Sequence, residues 1–151
     1  QGNSSSSSVV PNENKKVELT VVFYHVHGKD DISLNVEDCD ILIRVARETN
    51  FTPWDNDINS TRDIRFTIRY YKETDNDFFV NENVQYADEE GNPTNDYVDV
   101  RYGLCYNNGY FRRSYKTTEG WVNEVAQISE ETIRTLKKHF SYIYALPTQE
   151  K

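Results

Sequence analysis

The chain has 151 residues, enough for one domain around one core, and its formal net charge of −8 argues against a nucleic-acid partner, whose phosphates it would repel. Hydrophobic residues make up 36% and aromatics 13%, with eleven Tyr, seven Phe and two Trp, a content that excludes an intrinsically disordered chain. No apolar run approaches the roughly 20 residues needed to cross a bilayer, so no transmembrane segment is expected.

Residues 1–14, QGNSSSSSVVPNEN, are polar and Ser-rich and read as a flexible tether. Such tethers follow a removed signal peptide or a lipid-anchored residue on exported proteins, so a secreted, cell-envelope or cell-surface location is expected; Gln1-Gly2 also fits the remnant of a tag site. A single β-rich domain is expected over residues 15–147, with 148–151 as a C-terminal tail. Sequons at Asn3, Asn50 and Asn59 would make this a glycoprotein in a eukaryotic or viral source.

Within the domain, Val17–His27 alternates as a first strand, with Val17, Leu19, Val21 and Phe23 on one face. Gly28 to Asp31 turns the chain, and Ile32, Leu34 and Val36 suggest a short second strand. The segment Cys39–Thr49 fits two periods. Cys39, Ile41, Ile43 and Val45 alternate as in a strand, whereas Cys39, Leu42, Ile43 and Ala46 form a helical stripe. Its β-branched residues favour the strand; a helix over 37–49 is the alternative and would make the class α+β.

After a Pro- and Asx-rich loop at residues 50–62, Asp63–Lys72 gives the clearest strand of the chain. Ile64, Phe66, Ile68 and Tyr70 alternate with Arg65, Thr67, Arg69 and Tyr71. Short strands are expected at Phe78–Val80 and Val84–Tyr86, then an acidic turn. Val98, Val100, Tyr102 and Leu104 face inward on the next strand, with Asp99 and Arg101 outward. Asn108-Gly109 predicts a type I′ hairpin leading into Tyr110–Tyr115, and Trp121, Val122 and Val125 predict a last short strand. Ser129 caps a closing helix whose buried stripe is Ile133, Leu136, Phe140 and Ile143, with Pro147 stopping it. The expected fold is mainly β: an antiparallel β-sandwich or partly open barrel of about seven or eight strands with one C-terminal amphipathic helix.

That order of strands and terminal helix is similar, at the level of fold only, to lipocalin-type carriers, although the Gly-x-Trp of their first strand is missing. The resemblance implies a barrel carrying a small ligand.

Among candidate sites, Arg65, Arg69 and Arg101 project from the outward faces of two strands with Tyr71 beside them. As neighbours these strands would form a cationic, aromatic binding patch on an acidic protein, unless the arginines serve cross-strand pairs with Asp99 and Glu73. Asp55, Asp57 and Asn59 place oxygens at alternate positions, as a Ca²⁺ loop requires, but the Gly and closing Glu of an EF-hand are missing. His25 and His27 lie two apart on a strand, the spacing of a metal-dependent enzyme site. Cys39 and Cys105 either form a disulfide, worth about 4 kcal/mol on the chain-entropy model, or remain two buried thiols; a bond would need a bulge at Gly103. With no nucleophile elbow, phosphate loop, dinucleotide fingerprint or CxxC, an enzyme is not expected. The reading is an exported, non-catalytic interaction domain that binds a protein or surface glycan through an exposed sheet face.

Overall fold

The computed structural model describes residues 17–23, 32–54, 62–73, 79 and 83–144. In chain order the elements are β1 (Val17–Phe23), α1 (Val36–Glu48), β2 (Thr52–Pro53), β3 (Ile64–Tyr71), β4 (Tyr97–Leu104), β5 (Tyr110–Thr117), β6 (Gly120–Gln127), α2 (Glu130–His139) and α3 (Ser141–Tyr144). The protein is mainly β. Among the described residues, six strands form one antiparallel sheet in the order β1-β3-β4-β5-β6-β2; it is not closed, and β1 and β2 are its described edges.

The alternation of β3 fixes which way the sheet faces. Ile64, Phe66, Ile68 and Tyr70 are buried, while their neighbours are exposed or half-buried. The register carries this pattern across: Phe66 opposes Val21 on one side and Tyr102 on the other, and Ile68 opposes Leu19 and Val100. A one-residue slip would turn every one of these side chains to the wrong face. Phe66 stacks on Tyr102 at 5.0 Å between ring centroids, and Tyr102 meets Phe111 at 5.6 Å. The Tyr70 and Tyr102 hydroxyls bond each other at 3.0 Å, which satisfies two phenols inside the core.

The helices cover this inner face. Leu42 and Ala46 of α1, Leu136 of α2, and Phe140 and Ile143 beyond it all belong to the core cluster. Cys39–Glu48 is therefore helical, with Thr49 as its extended C-cap, and the strand expectation for Cys39–Thr49 is corrected. Asn35 caps α1 through its side chain, which accepts from the Asp38 amide at 2.7 Å, and Glu37 and Asp38 lie in the first turn. That start signal and a buried stripe spaced by four outweigh the β-branched residues. For the same reason Ile32 and Leu34 lie in an irregular lead-in and Val36 opens α1, so no second strand forms there.

Several smaller expectations are revised. Tyr86 and Ala87 make single bridges, to Thr117 and Pro93, rather than a strand. The last strand is longer than expected, running eight residues from Gly120 to Gln127. The hairpin turn spans Tyr106 to Gly109, not the two residues of a type I′ turn. Gly109 (φ 73°) donates to the Cys105 carbonyl, and Asn108 Oδ1 accepts from the Tyr110 amide. The closing helix has the expected cap, Ser129 Oγ accepting from Thr132 at 3.1 Å, and the expected stripe.

One buried charge locks the helices together. Asp38, 1% exposed, accepts from His139 Nε2 at 2.6 Å and from the Tyr142 hydroxyl, joining α1 to the end of α2 and to α3. No described helix is long and apolar enough to cross a membrane.

Candidate functional site

β3 and β4 are adjacent and antiparallel, so the outward side chains expected to form a patch do share one face. The structure divides them into two groups. At one end, Arg69 forks onto Asp99, with Nε to Oδ1 at 2.7 Å and Nη2 to Oδ2 at 3.0 Å, and lies 4.0 Å over the Tyr97 ring. The Asp99 hydrogen bond pushes the Arg69 guanidinium pKa up. Tyr71 donates to Glu18 at 2.7 Å, a bond that raises its phenol. These residues knit β1, β3 and β4 together, and Asp99 takes the pairing role weighed for it from the sequence; Glu73 forms no described pair with them.

At the other end, Arg65 and Arg101 line a depression of about 640 Å³ on the outer face. Two further arginines, Arg62 and Arg112, line it with them. Across the strands, Val22, Arg65, Gly103, Arg112 and Val125 stand in register. Gly103 leaves the middle of that row without a side chain, and Arg62 fills the gap. A Cβ at Gly103 would meet Arg62 Cδ at 2.4 Å. β4 remains evenly paired through Gly103, with no bulge. Burial and the nearby charge of Arg62 lower the Arg112 pKa.

Tryptophans stand at the sides. Arg112 lies 4.6 Å over Trp54, and Arg101 lies 4.8 Å over Trp121, which is 43% exposed. The Trp54 Nε1 is buried and has no acceptor among the described residues. Glu89 is the acid of this group; its carboxylate pairs with Arg101.

The inner face carries a different pair. Arg113 and Glu124 oppose each other in register, bond at 2.6 Å and are 19% and 18% exposed, with Arg113 lying 4.3 Å over Phe51. Burial works to lower the Arg113 pKa, but the Glu124 hydrogen bond and charge outweigh it, and the net shift is upward. The register and the Phe51 contact put the Arg113 side chain on the inner face, although Arg113 also borders the depression.

Sequence reasoning found Arg65 and Arg101 through strand alternation. It missed Arg62 and Trp54, which belong to loops and show no periodicity, and Arg112, because the run Arg112-Arg113 hides which residue faces outward. The pair His25 and His27 and the set Asp55, Asp57 and Asn59 lie outside the described residues. Among the described residues, no group of three or more His, Cys, Asp or Glu could hold a metal ion. Cys39 and Cys105 are free thiols here. Cys39 sits on α1, on the inner side, and burial followed by the charges of Asp38 and Asp40 pushes its thiol pKa up. Cys105 is buried beyond β4 and sits near Arg112, on the opposite side of the sheet. Comparison with known protein families, curated proteins and solved structures found no match for this chain.

Proposed function

We propose that this chain is an exported, non-catalytic interaction domain that holds a protein or surface glycan against the outer face of its sheet. The supporting observation is the gathering of Arg62, Arg65, Arg101 and Arg112 around one depression, on a chain whose net charge is −8. Burial and the charge of Arg62 both lower the Arg112 pKa, so that guanidinium is held in the hollow at a cost to folding. A bound anionic partner offsets that cost. Rigid strands carry three of the four, so their spacing is set before the partner arrives.

The test is capture from extracts of the native surface, comparing the unaltered chain with an Arg65→Ala/Arg112→Ala double variant. Circular dichroism should be unchanged, and the partner recovered by the unaltered chain should be lost. Equal recovery by both would remove this face from the argument.

A further inference from the structure

We propose that the groove takes an acidic oligosaccharide, a short chain of sugars bearing carboxylates or sulfates, laid across the strands; this deepens the surface-binding reading above and rests on it. The shape of the floor comes first. Thr20, Thr67, Arg101, Ser114 and Asn123 stand in register on five successive strands. Four strand spacings of about 4.8 Å give a polar row about 19 Å long. Such a row fits an extended chain of repeating units better than a compact ion.

The chemistry of the lining narrows the class. Arg side chains only donate, whereas Thr, Ser and Asn both donate and accept. The groove therefore asks for acceptor-rich ligand groups and can answer ligand hydroxyls in kind. Charged sugar substituents match the guanidinium forks beside Gly103, and ring hydroxyls match the Thr67, Ser114 and Asn123 row. An extended acidic peptide matches less well, because it brings a backbone N–H with every residue to a lining dominated by donors. Cation–π contacts with Trp54 and Trp121 restrain Arg112 and Arg101, which reduces the ordering cost of binding.

Glu89 gives this inference a signature of its own. It pairs with Arg101 inside the groove and is well exposed, so it stands where a ligand carboxylate or sulfate would sit. It is an internal competitor. Removing its charge should strengthen binding of an acidic sugar, whereas removing the arginines should weaken it.

The experiment is isothermal titration of the full chain at low salt with four probes: a sulfated uronic-acid oligosaccharide, an unsulfated one, a neutral oligosaccharide of the same length, and an oligoglutamate peptide. The acidic sugars should bind one to one and the neutral sugar should not; preference between the first two identifies sulfate or carboxylate as the recognised group. Glu89→Gln should tighten binding about threefold or more, and Arg65→Ala/Arg112→Ala should weaken it about tenfold or more. Gly103→Ala, which displaces Arg62 without altering charge, should weaken binding while circular dichroism stays unchanged. Peptide binding as tight as the sugars, or no binding of either acidic sugar by folded protein, overturns the glycan inference while the outer face stands as a docking surface. Sugar binding that ignores both the Arg and the Glu89 substitutions overturns the inference and the underlying reading together.

Discussion

Replacing Asp38 by Ala tests how the helices are held on the sheet. Its carboxylate accepts from His139 Nε2 and from the Tyr142 hydroxyl. Each hydrogen bond to a charged acceptor contributes about 1.5–3 kcal/mol. His139 is 25% exposed and Tyr142 40%, so both donors recover some water when the acid is removed, which favours the lower end of that range. Losing a negative charge from the first turn of α1 adds about 0.5 kcal/mol, and the hydrogen-bond figures are already net of carboxylate desolvation. The expected loss is about 3.5 kcal/mol, or a fall in melting temperature of roughly 7–14 °C for a chain of this size. Urea denaturation followed by Trp fluorescence measures it, with Asp38→Asn, which keeps an acceptor for Tyr142, losing about half as much. A loss below about 0.5 kcal/mol for Asp38→Ala would refute the idea that this carboxylate joins α1 to α2 and α3.

Further expectations concern the inner face and the phenols. Arg113→Ala should cost about 3 kcal/mol because it strands Glu124 in a mostly buried position, whereas replacing Arg113 by Met and Glu124 by Leu together should cost much less; a full double-mutant cycle by chemical denaturation measures the coupling. Burial pushes Tyr86 up to about 12, and burial with the Asp38 hydrogen bond pushes Tyr142 up to about 12. Both folded-state values lie above the ordinary phenol value near 10, so the native state holds protons that the unfolded chain releases. The stability from these two groups is complete below pH 10 and is lost as pH rises from about 10 to 12. Stability measured against pH should fall over that window, and Tyr142→Phe should flatten the slope.

Much of the sheet could be read in the sequence because strands buried on one side leave a period-two record. In β3 and β4 that record assigned Arg65 and Arg101 to the outside before any pairing was known. The closing helix was legible through Ser129 and its apolar stripe. α1 was not, because Ile41, Ile43 and Val45 imitate a strand while the deciding signal is a single Asn35 cap and an acid buried against another helix. β5 was partly hidden because Arg113, at an inward position, is neutralised by Glu124 of the next strand, a compensation between strands that periodicity along one strand does not record. The groove shares this difficulty. Gly103 and Arg62 form one feature only once the chain is folded, when the missing Cβ and the overlying side chain meet.

The most direct measurement is nuclear magnetic resonance mapping of the bound state: backbone amide shifts of the labelled chain as the acidic oligosaccharide is added. Saturable shifts are expected at Thr67, Arg101, Gly103, Ser114 and Asn123, with Leu42 and Leu136 on the covered side unmoved. Shifts confined to the helices, or to the hollow beside Tyr106 and Lys137, would contradict binding in the groove.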